Sequence, residues 1–281
     1  MKFPTFLSTP TRGVTRASAP AADGKSVPTD AGSILSIALD IAAEILRAGG
    51  EIHRVEDTIT RICLAYGAES VDVFAITSLI TAEVRMPDGS YATMNRRVPS
   101  TYNHLARLEA LNALSRAICK SPISAEEVRE RLKDIRVYRP VPEWLCYLGG
   151  MLSCGGFAIF FGGGLLDGLA AAVIAFFLTL FARLRPLRIN SMVKSLISSF
   201  AAGVLSVLCV EIGFGHHVDK IIIGTIMLEI PGLSFGNALR DLLCGDTLAG
   251  TMRFIQAILQ TLMIALGYMA ALVLFNQQIG G

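Results

Sequence analysis

The residues with the clearest chemical potential lie between 221 and 253, in a stretch that begins apolar enough to enter a bilayer. Glu229 lies in this apolar part, beside Pro231 and Gly232. An ionisable residue at membrane depth is costly and usually faces a cavity or a protein interior. Proline removes a backbone donor and glycine loosens a helix, so the helix is expected to break here. Broken helices of this kind form substrate sites in many transporters; a kinked helix with a capping acid is the equally weighted alternative.

Polar and small side chains follow the break and could bind a charged small molecule. The backbone freed by the break and Asn237 could bind polar groups, and Arg240 could pair with a carboxylate, bidentately if the geometry allows. Glu229 or Asp241 could carry a coupling proton or bind an amine. Alternatively, Arg240 and Asp241 are interfacial charges at the membrane edge. The candidate substrate-binding or coupling residues are Glu229, Pro231, Gly232, Asn237, Arg240, Asp241, Gly245 and Asp246.

A second cluster of charged residues occupies 51–57. His53 and Asp57 are four residues apart and would share one face of a helix, but one spacing without further ligands is weak evidence for a metal site. A solvated helix start, with Glu51 favoured by the helix dipole, is the preferred interpretation. His53 and Glu56 remain the candidate residues of this motif. We predict no metal, no cofactor and no enzymatic activity, because the sequence lacks a phosphate loop and an HExxH zinc motif.

The region before Trp144 has the composition of soluble protein. Residues 1–31, which are rich in Pro, Ser, Thr, Ala and Gly, are predicted to form a flexible tail. Residues 32–139 are predicted to form a small α+β domain, in which Ser124 and Glu127 have the spacing of a capping box. Its predicted helices span 33–48, 51–66, 102–119 and 124–133, and its predicted strands span 71–84 and 91–98 on either side of a turn at 87–89.

The region 140–281 is predicted to be an α-helical membrane domain, so the fold class is mixed. The chain is 52% hydrophobic with a mean hydropathy of +0.54, and only 17% of its residues are charged, against about 25% in soluble domains. A helix needs about 20 predominantly apolar residues to span a bilayer. About five spans are predicted, at 144–161, 165–182, 195–210, 221–239 and 254–275.

Basic residues mark the loops on one side of these spans. Arg131, Lys133 and Arg136 precede the first span and the segment 183–194 is also basic, whereas the loop 162–164 carries no base. The positive-inside rule therefore places the N-terminal domain in the cytoplasm and the C-terminus outside. An odd number of spans without an internal repeat indicates a partner subunit or a homo-oligomer.

Two stretches together resemble the threonine/serine exporter family, of the YjjP-like type. The first is AGGEIHRVEDTITRICLAYGAESVDVFAITSLITAEV (48–84), and the second is IPGLSFGNALRDLLCGDTLAG (230–250). The resemblance implies a secondary exporter in the bacterial inner membrane, with a cytoplasmic domain ahead of the membrane domain. The resemblance also implies that several residues occupy motif positions of the family: Glu56, Pro231, Gly232, Asn237, Arg240, Asp241, Gly245 and Asp246. Family members export threonine and serine, and split members, which pair with a separate small membrane subunit, are linked to succinate export. The chain ends after its fifth predicted span and so resembles the split members.

These observations predict a proton-driven exporter, or exporter subunit, of small carboxylated metabolites: threonine and serine, or a dicarboxylate such as succinate. The expected partners are the substrate, the lipid bilayer and a second small membrane subunit or another copy of the chain, with no nucleic acid. The alternative is a membrane-anchored sensor or assembly subunit whose cytoplasmic domain binds a ligand. Five spans and a glutamate beside Pro-Gly are more than an anchor needs, which favours the exporter.

Overall fold

The computed structural model describes residues 27–138, 141–183 and 190–279. Most of the predicted tail, residues 1–26, lies outside these ranges. The described parts contain ten helices and one three-stranded sheet. The elements are α1 (Ala31–Arg47), α2 (Ile52–Ala65), β1 (Ser70–Ile76), β2 (Leu79–Arg85), β3 (Tyr91–Arg97), α3 (Leu105–Lys120), α4 (Ala125–Val137), α5 (Glu143–Phe160), α6 (Leu165–Arg183), α7 (Ser191–Glu211), α8 (Val218–Ile226), α9 (Gly232–Cys244) and α10 (Thr247–Ile279).

Helices α1–α4 and the sheet pack around one apolar core, and we call them the N-terminal unit. The apolar side chains of α1 recur every three or four residues, so α1 buries nearly its whole length between α2 and the sheet. On β2 the inward-facing residues Ile80, Ala82 and Val84 alternate with more exposed ones, as expected for a sheet with one covered face. The division into domains at residues 31 and 139 stays a prediction.

The strand predicted over 71–84 is in fact two strands. Thr77 and Ser78 form a tight turn, and β1 pairs with β2 in antiparallel register from Ile76 opposite Leu79 outward. β3 continues the sheet, so the order is β1-β2-β3. The prediction missed this turn because no glycine or proline interrupts the β-branched run, and periodicity alone continues through it.

The caps of two helices agree with their sequence signals. The side chain of Asp30 accepts a hydrogen bond from the Ser33 N–H at the start of α1, at 2.8 Å. At the start of α4, Ser124 accepts a hydrogen bond from the Glu127 N–H at 3.3 Å, as the capping-box spacing predicts. The carboxylate of Glu127 pairs with Arg131 one turn later, so only the serine half of the capping box forms.

Helices α5–α10 form the rest of the described chain, and we call them the helical unit. In the part of the chain that the structure describes, four helices are long and apolar enough to cross a membrane: Glu143–Phe160, Leu165–Ala182, Ser191–Glu211 and Thr247–Phe275. They match the first, second, third and fifth predicted spans. Helix α7 packs along α10, α5 packs along α6, and α8 is enclosed by α5, α6 and α7.

The predicted fourth span, 221–239, is divided into α8 and α9, so the count of five spans is not confirmed. Helix α8 ends at Ile226 and α9 begins at Gly232, and Pro231 precedes α9 as its N-cap. The predicted break is therefore present. At 1.5 Å per residue, α8 is about 14 Å long and α9 about 20 Å, both shorter than the hydrocarbon core of about 30 Å. Helix α9 packs against α10 and α2.

Candidate functional site

The turn between α1 and α2 is shaped to present its backbone to the helical unit. Gly49 has φ +91°, a left-handed conformation that glycine adopts without strain. A Cβ on Gly50 would lie only 2.5 Å from the Cγ2 atom of Ile45, so this position also requires glycine. The pair ends α1 and leaves the two glycine carbonyl groups available to partners from α9 and α10.

Side chains of α9 and α10 bind this turn. The Asn237 side-chain amide donates a hydrogen bond to the Gly49 carbonyl at 3.0 Å, and the Arg253 guanidinium donates one to the Gly50 carbonyl at 2.7 Å. Arg240 forms an ion pair with Glu51 at 2.9 Å. The two sequence stretches that resemble the exporter family are therefore in direct contact, although the bonded residues Gly49 and Asn237 lie 188 residues apart along the chain.

Asp241 acts as a cap for α2 from a distant part of the chain. The N-cap residue of α2, Glu51, makes no capping hydrogen bond with its own side chain. The first N–H of the helix, from Ile52, instead donates to the Asp241 carboxylate at 3.2 Å. The same carboxylate pairs at 2.9 Å with Arg253, and both side chains are at least nine-tenths buried. A carboxylate at a helix N-terminus is favoured by the unpaired N–H groups and by the helix dipole.

The two candidate residues on α2 differ in their surroundings. His53 is exposed, and Asp57, its proposed partner, pairs with Arg61 instead. Among the described residues, no group of three or more His, Cys, Asp or Glu side chains is placed to hold a metal ion. Glu56 accepts a hydrogen bond from the Ala75 N–H of β1 at 2.8 Å. Burial raises the pKa of the Glu56 carboxyl above its ordinary value, against the opposing effect of that hydrogen bond.

The remaining candidates after the break form the ends of α9. Gly232 is the first residue of α9, and Gly245 caps its C-terminus with φ +97°. Asp246 then precedes α10, and its carbonyl accepts a hydrogen bond from the Gly250 N–H at 2.8 Å. Its negative charge adds to the upward shift of the Glu56 pKa. These residues shape the connection from α9 to α10; their role in substrate binding stays a prediction.

Glu229 lies away from the docked turn, in the break between α8 and α9. One oxygen of its carboxylate accepts a hydrogen bond from the Ser198 hydroxyl of α7. The other oxygen, Oε2, is buried and has no hydrogen-bond partner among the residues that the structure describes. A buried carboxylate oxygen without a partner is costly. It can be satisfied by a proton or by a donor group of a ligand, which keeps Glu229 a candidate for coupling.

A chamber of about 830 Å³ opens between the two units. Its walls include Asn237, Arg253 and the break residue Pro231 from the helical unit, together with the α1–α2 turn and two loops of the N-terminal unit. Side-chain hydroxyl and amide groups dominate the lining, with Arg253 as its one Asp, Glu, Lys or Arg side chain among the described residues. The volume and the polar lining suit a small polar metabolite.

Polar side chains continue from this chamber toward Glu229 along one face of α7. Ser191 lines the chamber, and Ser195, one turn further, accepts a hydrogen bond from Gln260 of α10 at 3.4 Å. Ser198, the next residue on that face, holds Glu229. The chamber and the break residue are thus connected by side chains that can hydrogen-bond within otherwise apolar helices.

Several of these residues were not predicted from the sequence as site residues. Ser195 and Ser198 form part of a serine repeat with helical spacing in a predicted span, and Gln256 and Gln260 are the polar residues of the last predicted span. That spacing is a signal that could have identified a polar helix face. In the sequence, Arg253 is a basic residue that follows the fourth predicted span, and nothing in its sequence context indicates that it contacts the α1–α2 turn.

The comparisons with known proteins decide the family. The family model described as "Putative threonine/serine exporter" (ThrE) matches residues 36–275. The chain belongs to the threonine/serine exporter family. This match covers the N-terminal unit and the helical unit together, including both stretches that carry the resemblance.

Three relatives are similar to most of this member of the family. "Probable succinate transporter subunit YjjP" of Klebsiella aerogenes is 25% identical over 87% of this chain and 95% of its own length. The protein of the same name in Escherichia coli K12 is 25% identical over 83% of this chain and 91% of its own length. "Probable threonine/serine exporter" of Mycobacterium tuberculosis is 22% identical over 85% of this chain but only 46% of its own length. No solved structure matches the chain.

Family membership and the four apolar helices indicate a multi-pass membrane protein of a transporter family.

Proposed function

We propose that the chain is a secondary exporter, or an exporter subunit, of small carboxylated metabolites. The names of the relatives give the candidate substrates: a dicarboxylate such as succinate, or threonine and serine. The observation that carries the proposal is the polar chamber between the two units, together with the serine face of α7 that runs from this chamber to the buried carboxylate of Glu229.

In this proposal Glu229 carries the coupling proton. A glutamate in a helix break can take up a proton from one side of the membrane and release it on the other, provided that its surroundings change during transport. The Ser198 hydroxyl holds one carboxylate oxygen in place and the other is free for a proton. The proton-motive force would then drive export.

The residues after the break divide into two roles. Asn237 and Pro231 line the chamber and supply polar backbone and side-chain groups for the substrate, while Arg253 supplies a positive charge for its carboxylate. Arg240 and Asp241, which sequence reasoning offered as substrate ligands, act chiefly by holding the α1–α2 turn against the helical unit.

We place the protein in the bacterial inner membrane with the N-terminal unit in the cytoplasm. The basic residues that precede α5, together with Lys194 and Arg253 near the starts of α7 and α10, support this orientation by the positive-inside rule. The word "subunit" in the names of two relatives supports a second small membrane subunit as partner.

Efflux from preloaded cells tests the function. Cells lacking the chain, cells with the chain alone and cells with the chain plus a candidate small membrane subunit are loaded with labelled succinate, threonine or serine. Faster efflux that a protonophore abolishes supports the exporter and identifies the substrate. Rescue only by the pair shows that the chain is one part of a two-subunit carrier. Unchanged efflux in all cells, with the protein shown to be in the membrane, favours the sensor or assembly subunit instead.

A further inference from the structure

We infer that the N-terminal unit forms a wall of the substrate site and selects the substrate there. This inference rests on the proposed function and extends it: the N-terminal unit is a part of the binding site and not only a neighbour of the transport path. The segments involved are the β1–β2 turn at Thr77 and Ser78 and the loop from Val98 to Asn103, which we call the wall loop.

The N-terminal unit supplies about half of the residues that line the chamber in the described part of the chain. Nine of the nineteen described lining residues come from it, and the others come from α7, α9, α10 and the residues that precede α7 and α9. In the wall loop, Ser100, Thr101 and Asn103 have side chains that can donate and accept hydrogen bonds. All three residues are exposed and line the chamber. A ligand in this chamber would therefore meet donors and acceptors from both units.

Backbone hydrogen bonds hold the wall loop in one conformation. The Val98 N–H donates to the Ser78 carbonyl at 2.8 Å, which ties the start of the loop to the β1–β2 turn. The Tyr102 N–H donates to the Arg47 carbonyl at 2.8 Å, which ties its end to the C-terminus of α1. A loop fixed at both ends presents its side chains in a set geometry, and such preorganisation is what a selective binding site requires.

Contacts at the rim fix the wall loop relative to the helical unit. The Asn103 side-chain amide donates to the Ser234 hydroxyl of α9 at 3.4 Å, and the Asn237 amide donates to the Gly49 carbonyl at 3.0 Å. These bonds join the two halves of the chamber on the side of the helix break. Because Arg253 is the one fully charged side chain of the described lining, discrimination between ligands that share a carboxylate falls to the hydroxyl and amide groups.

Ligand protection of single cysteines tests the inference on the purified full chain. The native cysteines that are not buried are first replaced by serine: Cys119, Cys146, Cys209 and Cys244. Reporter cysteines are then placed in the wall loop (Thr101→Cys), in the opposite wall (Gln256→Cys), and on an exposed β3 position that does not line the chamber (Thr93→Cys). The rate of modification by a polar thiol reagent is measured with and without succinate, threonine or serine at saturating concentration.

The inference predicts that the same ligand slows modification severalfold at Thr101→Cys and at Gln256→Cys, and leaves Thr93→Cys unchanged. Protection at Gln256→Cys alone would overturn the inference and leave the proposed function standing. If none of the three ligands protects either position, the chamber is excluded as the binding site. This result would overturn both the inference and the proposed function. Equal protection at Thr93→Cys would show a general effect of ligand on the protein and would also overturn the inference.

A kinetic measurement separates substrate selection from a merely structural role. Thr101→Val removes one hydroxyl group from the wall and keeps the shape of the side chain. It is expected to raise the KM of export by about two- to tenfold for the ligand that uses this hydroxyl, as for the loss of one hydrogen bond, with the maximal rate unchanged. Thr101→Ser is expected to restore the KM. An unchanged KM and an unchanged order of preference among the three ligands would contradict selection by the wall loop.

Discussion

Removal of the charge of Asp241 is predicted to undock the N-terminal unit from the helical unit. Asp241 and Arg253 form an ion pair at 2.9 Å with side chains only 1% and 10% exposed. In Asp241→Asn the amide oxygen can still accept the Ile52 N–H, but Arg253 is left buried beside a neutral group. Removing one partner of a buried pair typically costs about 3–5 kcal/mol, because the other charge remains without compensation.

The expected change can be read from amide exchange at the start of α2. The Ile52 N–H is bound only while the two units are docked, so its exchange reports the undocking equilibrium. A loss of about 3 kcal/mol corresponds to roughly a 100-fold faster exchange, at about 1.4 kcal/mol per tenfold. Arg253→Gln should accelerate exchange to a similar extent. The double variant should regain most of the lost docking free energy, because no buried charge is left unpaired.

The pair Arg240 and Glu51 provides a matched control at the same interface. It has a similar distance of 2.9 Å, but its side chains are 60% and 20% exposed. Its double-mutant cycle with Arg240→Gln and Glu51→Gln is expected to give a coupling of only about 0.2–1 kcal/mol. Two results would refute the argument that burial makes the Asp241–Arg253 ion pair strong. One is an equally small coupling free energy in both cycles, and the other is unchanged amide exchange at Ile52 in Asp241→Asn.

Three further predictions concern other parts of the chain. Glu229→Gln keeps an acceptor for α7 but cannot carry a proton, so protonophore-sensitive efflux should fall about tenfold or more, equivalent to about 1.4 kcal/mol; efflux at the wild-type rate with normal expression would remove Glu229 from the mechanism. The raised pKa of Glu56 means that its contribution to stability is full below its ordinary value of 4.5 and is lost as pH rises through the raised pKa; Glu56→Gln should flatten that part of a stability–pH curve, and an unchanged curve would contradict this role of Glu56. A Cβ on Gly155 would lie 2.8 Å from a backbone oxygen of α6, whereas one on Gly156 meets nothing within 4 Å; thermal unfolding should therefore show Gly155→Ala to be destabilised by about 1–3 kcal/mol and Gly156→Ala to be close to wild type.

A helix was predictable from the sequence where its apolar residues keep the same spacing from its first turn to its last. In α1 the apolar residues recur with the helical period and Gly49 follows the last turn, so the element and its end agree with the prediction. The four long apolar helices were predictable from length and hydropathy alone. The break at Pro231 was equally visible, because proline and glycine act on the backbone of their own segment.

The candidate site was predictable in composition but not in arrangement. Asn237 and Asp241 were predicted from the sequence as candidate site residues. Their hydrogen-bond partners, Gly49 and Ile52, lie 188 and 189 residues away along the chain. Periodicity describes which face of a helix is apolar and carries no information about which distant turn packs against it. The packing of α9 against α2 is likewise a contact between distant parts of the chain, which no local sequence pattern indicates.

Transport by the purified protein in liposomes tests the central claim most directly. The chain, together with its second subunit if the cell experiments require one, is reconstituted with labelled succinate, threonine or serine inside, and a proton gradient is then imposed. The account predicts gradient-driven loss of one of these substrates, abolished by a protonophore and strongly reduced in Glu229→Gln. Release that is no faster than from empty liposomes for all three substrates, or release that does not respond to the gradient and to Glu229→Gln, would contradict it.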